Sequence, residues 1–127
     1  SAGVDDYSVC PLPVVEKEID WAVKCGAEML CFGAPDYPAL LAEIPDPPPI
    51  LWAIGNLDLL ARPTVGVVGA RNASSLGTRM ARKLAGDLGT AGQVVVSGLA
   101  RGVDTAAHTA ALKTGTIAVM AGGVDVI

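Results

Sequence analysis

The sequence predicts an α/β fold whose main part is a parallel sheet. Three observations carry that prediction. Between residue 62 and the end the pattern is strand, turn, helix, repeated. Each turn that follows a strand is rich in glycine. The first of these strands, over 64–68, holds Val65, Val67 and Val68 with no polar residue alternating among them, as expected for a strand covered on both faces. Strands alternating with helices of this length form parallel sheets through right-handed crossovers.

Gly69 is expected to let the backbone turn tightly at the end of that first strand. Ser74 or Ser75 is the natural N-cap of the next helix, over 76–88, with Leu76, Met80, Leu84 and Leu88 on one stripe. A strand over 93–96 follows, then Ser97-Gly98-Leu99-Ala100-Arg101-Gly102. A third helix runs from about 105 to 113, with Asp104 as N-cap and Gly115 as its stop. A last strand covers 116–120 and leads into Ala121-Gly122-Gly123-Val124-Asp125.

Residues 1–61 read as an accessory segment, and Arg62-Pro63 marks the boundary to the main part, 62–127. Positions 1–13, with Pro11 and Pro13, form a loose lead-in. Apolar residues at 15, 19, 22 and 23 predict an amphipathic helix over 14–25, stopped by Gly26. Short strands are expected over 29–32 and 51–54. Between them lie a turn at Pro35 and Pro38, a helical turn over 39–43 and the extended IPDPPPI segment. A further helical turn covers 57–60.

Composition narrows the function. The 127 residues are 51% hydrophobic, enough for a buried core. No apolar run approaches the roughly 20 residues of a membrane span. Cys10, Cys25 and Cys31 form no CxxC pair, which favours a reducing, cytoplasmic setting over disulfides or zinc. Net charge is −4, but unevenly spread. Residues 1–61 carry two basic and ten acidic side chains, whereas 62–127 carry seven basic and three acidic. That asymmetry suggests a polyanion partner for the second half.

The strand ends at 69–74, 97–104 and 121–125 fall along one edge of the predicted sheet, where open α/β sheets bind ligands. Free N–H groups at a helix N-terminus beside Arg71 suit a phosphate, and an ordinary solvated turn is the competing reading. The GxGxxG, GxxxxGK[ST] and GxSxG signatures are all missing. Ser97, Asp104 and His108 could in principle form a hydrolytic triad, although a packed histidine is the commoner outcome. What remains is a glycine-rich rim carrying Arg71 and Arg101. All of the aromatics lie in the first half, so a base held at this rim would meet arginine planes and backbone amides.

The order YP…L…I…DPP, VGVVGARNASSLG, SGLARGVDTAAHTAAL and GTIAVMAGGVD resembles the DNA-processing protein A family, also called DprA or Smf. The resemblance implies a Rossmann-like parallel sheet with helices on both faces, here truncated at its C-terminal end. It implies single-stranded DNA binding without catalysis or cofactor, and help in loading the RecA recombinase during natural transformation. It also implies a homodimer formed through regions outside this chain. Arg71 matches the family arginine that contacts DNA, while Ala70 replaces a usual serine. The expected nucleic-acid-binding set is Gly69, Ala70, Arg71, Ser74, Ser97, Gly98, Arg101 and Gly122. The alternative is a phosphoribohydrolase-like enzyme of the same fold superfamily. Such enzymes carry PGGxGTxxE where this chain has AGGVDVI.

Overall fold

A computed structural model describes residues 8–124. Ahead of residue 62 lie helix α1 (Leu12–Lys24), strand β1 (Glu28–Cys31), the single turn α2 (Ala39–Ala42) and strand β2 (Ile50–Ala53). α1 starts earlier than expected and takes in Pro13, because a first-turn proline forfeits only an N–H that has no intrahelical acceptor. β1 and β2 pair antiparallel with Leu30 opposite Leu51. Tyr37 anchors the proline-rich connection, donating its hydroxyl to the Pro48 carbonyl at 2.7 Å.

A 3₁₀ turn (Leu57–Ala61) leads into β3 (Thr64–Gly66), α3 (Ser75–Thr90), β4 (Val94–Ser97), α4 (Val103–Ala111) and β5 (Thr116–Ala118). The three strands form a parallel sheet in the order β3-β4-β5, so the α/β class stands as expected. β4 is the central strand, and its neighbours Val94 and Val95, which point to opposite faces, are both fully buried. Val95 packs with Ala85 of α3 and with Ala107 and Ala111 of α4. Val94 lies on the other face, where Leu59 of the 3₁₀ turn, Arg62 and Gly115 converge.

Three details depart from the sequence reading. β3 ends at Gly66, and Val68 is 81% exposed rather than covered. On α3 the buried positions are Ala81, Ala85 and Gly89, while Leu76, Met80 and Leu84 face outward; of the expected stripe only Leu88 joins the core. The reason is the close approach of α3 to α4, which small residues permit. A Cβ on Gly89 would collide with Thr114. Third, α4 begins at Val103, so Asp104 lies inside it and caps nothing.

Candidate functional site

The loops after β3 and β4 meet at the carboxyl edge of the sheet. They border an open cleft of about 460 Å³ lined by Arg71, Gly98, Ala100 and Arg101. Both arginines are exposed. A smaller cavity of about 170 Å³, bordered by Trp21, Ala22, Cys25 and Trp52, lies between α1 and β2 and is mostly apolar.

The first loop, 67–74, is held mainly by packing. Gly69 does not adopt positive φ, so its role is space and not a tight turn: an added Cβ would lie 2.8 Å from Val103 Cγ2. Ser74 is the N-cap of α3, its Oγ accepting from the Gly77 N–H at 3.1 Å. The Ala70 carbonyl accepts from Val103 N–H at 3.2 Å, supplying α4 with the cap that Gly102 has no side chain to provide. The amides of residues 69–73 have no acceptor among the described residues. They are therefore free to donate to an anion beside Arg71 and the start of α3.

The second loop, 97–102, is held by hydrogen bonds from α4. Asp104 is 7% exposed and its Oδ2 accepts from the Gly98 N–H at 3.2 Å. His108, 6% exposed, accepts from the Leu99 N–H at 3.3 Å through Nε2. The Ala100 carbonyl accepts from both the N–H and the hydroxyl of Thr105, at 3.0 and 2.7 Å. Gly102, at φ +88°, lies against the first loop; an added Cβ would strike the carbonyl oxygens of Ala70 and Arg71. The two loops are thus locked together at a position only glycine fits.

The expected site residues accordingly take different places. Arg71 and Arg101 share the cleft, with Gly98 and Ala100 between them. Gly69 and Ala70 form the first loop, and Ser74 caps the helix beside it. Ser97 is turned inward: it is 4% exposed and its hydroxyl donates to the Val67 carbonyl at 2.6 Å, tying β4 to β3. The Gly98 amide is taken by Asp104 and is not available to a ligand. Gly122 is exposed beyond β5 with open space around its Cα, and Asp125 lies outside the described residues. The hydrolytic triad is not assembled. His108 spends Nε2 on the Leu99 amide and Nδ1 on the Thr116 hydroxyl, at 2.7 Å, and Ser97 donates elsewhere. Among the described residues no His, Cys, Asp and Glu cluster could hold a metal ion. What sequence reasoning missed is the bracing of the second loop by Asp104, Thr105 and His108. The i, i+4 spacing of Asp104 and His108 on α4 was its one visible sign.

Not all of the positive charge is at the rim. Arg62 donates to the Thr114 carbonyl at 3.1 Å and the Gly92 carbonyl at 3.3 Å, pinning turns at the far end of the sheet. Lys83 pairs with Asp87 at 2.7 Å on the surface of α3. Arg71 and Arg101 are the basic side chains that line the cleft.

Fold and rim define an α/β domain that offers arginines and free backbone amides at the carboxyl ends of parallel strands. A family model described as DNA recombination-mediator protein A matches residues 28–127, and the chain belongs to that family. It is 51% identical over 92 residues to DNA processing protein DprA of Streptococcus pneumoniae, which covers 71% of this chain and 32% of that protein. It is 46% identical over 99 residues to Protein Smf of Synechocystis, covering 73% of this chain and 25% of the relative. The chain thus spans between a quarter and a third of these relatives. Among solved structures, DprA of S. pneumoniae superimposes with a TM-score of 0.74 at 41% identity, covering 93% of this chain and 45% of that one. DNA processing protein A of Helicobacter pylori, in a structure concerned with its single-stranded DNA binding mode, gives 0.69 at 31% identity, with coverages of 79% and 46%.

Proposed function

We propose that the cleft between Arg71 and Arg101 binds the backbone of single-stranded DNA, and that the whole protein acts without catalysis. The observation that carries this reading is the pairing of two exposed arginines in one open cleft, with the unspent amides of residues 69–73 in the loop that carries Arg71. An extended polyanion fits such a surface better than a small enclosed substrate would, because the cleft is open and its lining side chains are two arginines and an alanine. The binding mode named for the H. pylori relative points the same way. By kinship, the whole protein works in the cytoplasm, loads RecA onto incoming DNA during natural transformation and dimerises through regions outside this chain. The unassembled Ser97–Asp104–His108 set supports binding over hydrolysis.

The test is Arg71→Ala in the full-length protein. Single-strand affinity should fall by about 1.5–3 kcal/mol, the worth of a hydrogen bond from a charged group. Melting temperature should hold, since an exposed rim arginine contributes little to folding. Arg71→Lys should recover part of the loss, keeping the charge without the planar fork. Equal binding by Arg71→Ala and the unsubstituted protein would refute the assignment.

A further inference from the structure

Leu99 is the single non-glycine residue with positive φ among the described residues, at +57°. Such a conformation is disfavoured for a γ-branched side chain and persists only when its surroundings impose it. The imposing contact is visible. The Leu99 N–H points at His108 Nε2, and the preceding Gly98 N–H points at Asp104 Oδ2, one turn earlier on α4. We infer that His108 is a positioning residue for the DNA-binding rim: its neutral imidazole holds Leu99 in the left-handed conformation that turns Ala100 and Arg101 toward the cleft. The inference rests on the DNA reading for its consequence, but the positioning itself does not depend on it.

The network fixes the tautomer. The Thr116 hydroxyl donates to the Val95 carbonyl at 2.8 Å, so its oxygen accepts from the other side. His108 Nδ1 lies 2.7 Å from that oxygen and therefore carries the hydrogen, leaving Nε2 as an acceptor for Leu99. Protonation would place an N–H against an N–H at Nε2 and eject the loop from its conformation. Burial pushes the imidazole below its usual range, against a smaller upward pull from the Asp104 carboxylate and the Ser97 backbone. The neighbours add no other nearby charge. β4 and β5 carry no ionisable side chain, and Arg79, Arg82, Lys83 and Asp87 of α3 and Arg101 of the loop are all exposed. Because the folded form holds the proton less tightly than the unfolded one, the bracing is complete above the unperturbed histidine range near pH 6.5. It is lost as pH falls from there through the folded value.

The experiment follows the ¹⁵N signals of the His108 ring and the Leu99 amide in the full-length protein, alongside single-strand affinity, from about pH 7.5 to about pH 5.5. His108→Gln identifies the ring signals and serves as the non-titrating comparison. The expected result is an Nδ1–H tautomer at the upper pH and a Leu99 amide shift that tracks the ring titration. Affinity should fall by about fivefold over the range in the unsubstituted protein and less than about twofold in His108→Gln. Thr116→Val, which removes the acceptor for Nδ1 without touching the loop, should also weaken binding at the upper pH. An Nε2–H tautomer, or a Leu99 amide with the same pH profile in His108→Gln, overturns the proposal. Loss of binding at every pH in the unsubstituted protein, with Leu99 still tracking the ring, would support the positioning role and overturn the DNA reading instead.

Discussion

The two loops that meet at the rim are built on opposite plans. The first, 67–74, is shaped by what it cannot overlap: Gly69 leaves room for Val103, and Gly102 leaves room for the carbonyls of Ala70 and Arg71. The amides of its residues 69–73 are left unspent among the described residues. The second, 97–102, is shaped by what reaches up to it: Asp104 and His108 take up the Gly98 and Leu99 amides, and Thr105 the Ala100 carbonyl. The first loop therefore keeps the longer run of free amides to offer a ligand, while the second presents Arg101 on a backbone braced from α4. A phosphate-binding rim needs both kinds, donors that are free and a scaffold that does not move when they are used.

The largest break in this comparison should come where the loops touch. Gly102→Ala adds a Cβ against two backbone oxygens at a position with φ +88°. Neither obstacle can move aside cheaply, so a loss of about 3 kcal/mol or more is expected in denaturant unfolding. Gly69→Ala meets side-chain atoms of Val103 at 2.8–2.9 Å, without any φ penalty. Its cost should be smaller, about 1–3 kcal/mol, and Val103→Ala in the same chain should relieve it. Absence of that rescue would mean the first loop is not shaped by α4. Ser74→Ala removes the cap of α3 and should cost about 1 kcal/mol.

How legible this was differs residue by residue. The strand–helix alternation and the capping serine could be read because periodicity and cap chemistry are local. The loss of the α3 stripe could not, since Leu76, Met80 and Leu84 satisfy helical spacing as well as Ala81, Ala85 and Gly89 do. Only the distance to α4 decides that the small residues face inward. Asp104 shows the same ambiguity: an aspartate at the start of a helix reads as a cap whether it serves its own helix or reaches back into the preceding loop. Gly69 could be read as necessary but not why, because a glycine needed for space and one needed for φ look alike in a sequence. Arg71 and Arg101 were legible as rim residues because strand ends locate them. The Ser97 hydroxyl was not, because its partner, the Val67 carbonyl, lies across the sheet and 30 residues away.

The smallest expected effect sharpens the comparison most. Lys83 carries as much charge as Arg71 and belongs to the same basic half, but it sits fully exposed on α3, paired with Asp87 at 2.7 Å. That hydrogen bond, and then the carboxylate charge, raises its pKa, so the pair persists across the neutral range. Two side chains so open to water contribute nothing measurable to folding, and Lys83→Ala should leave the unfolding midpoint unchanged. If binding follows from location, it should also leave the salt dependence of single-strand affinity unchanged. Arg71→Ala should instead flatten that dependence by roughly 0.7 log units per tenfold change in salt, as expected when one phosphate is no longer neutralised by the protein. Running both variants across a salt series separates charge placed at the rim from charge carried by the half as a whole. Equal flattening in the two would mean that the second half attracts DNA through its net charge, and that the free amides beside Arg71 hold no special position in the interface.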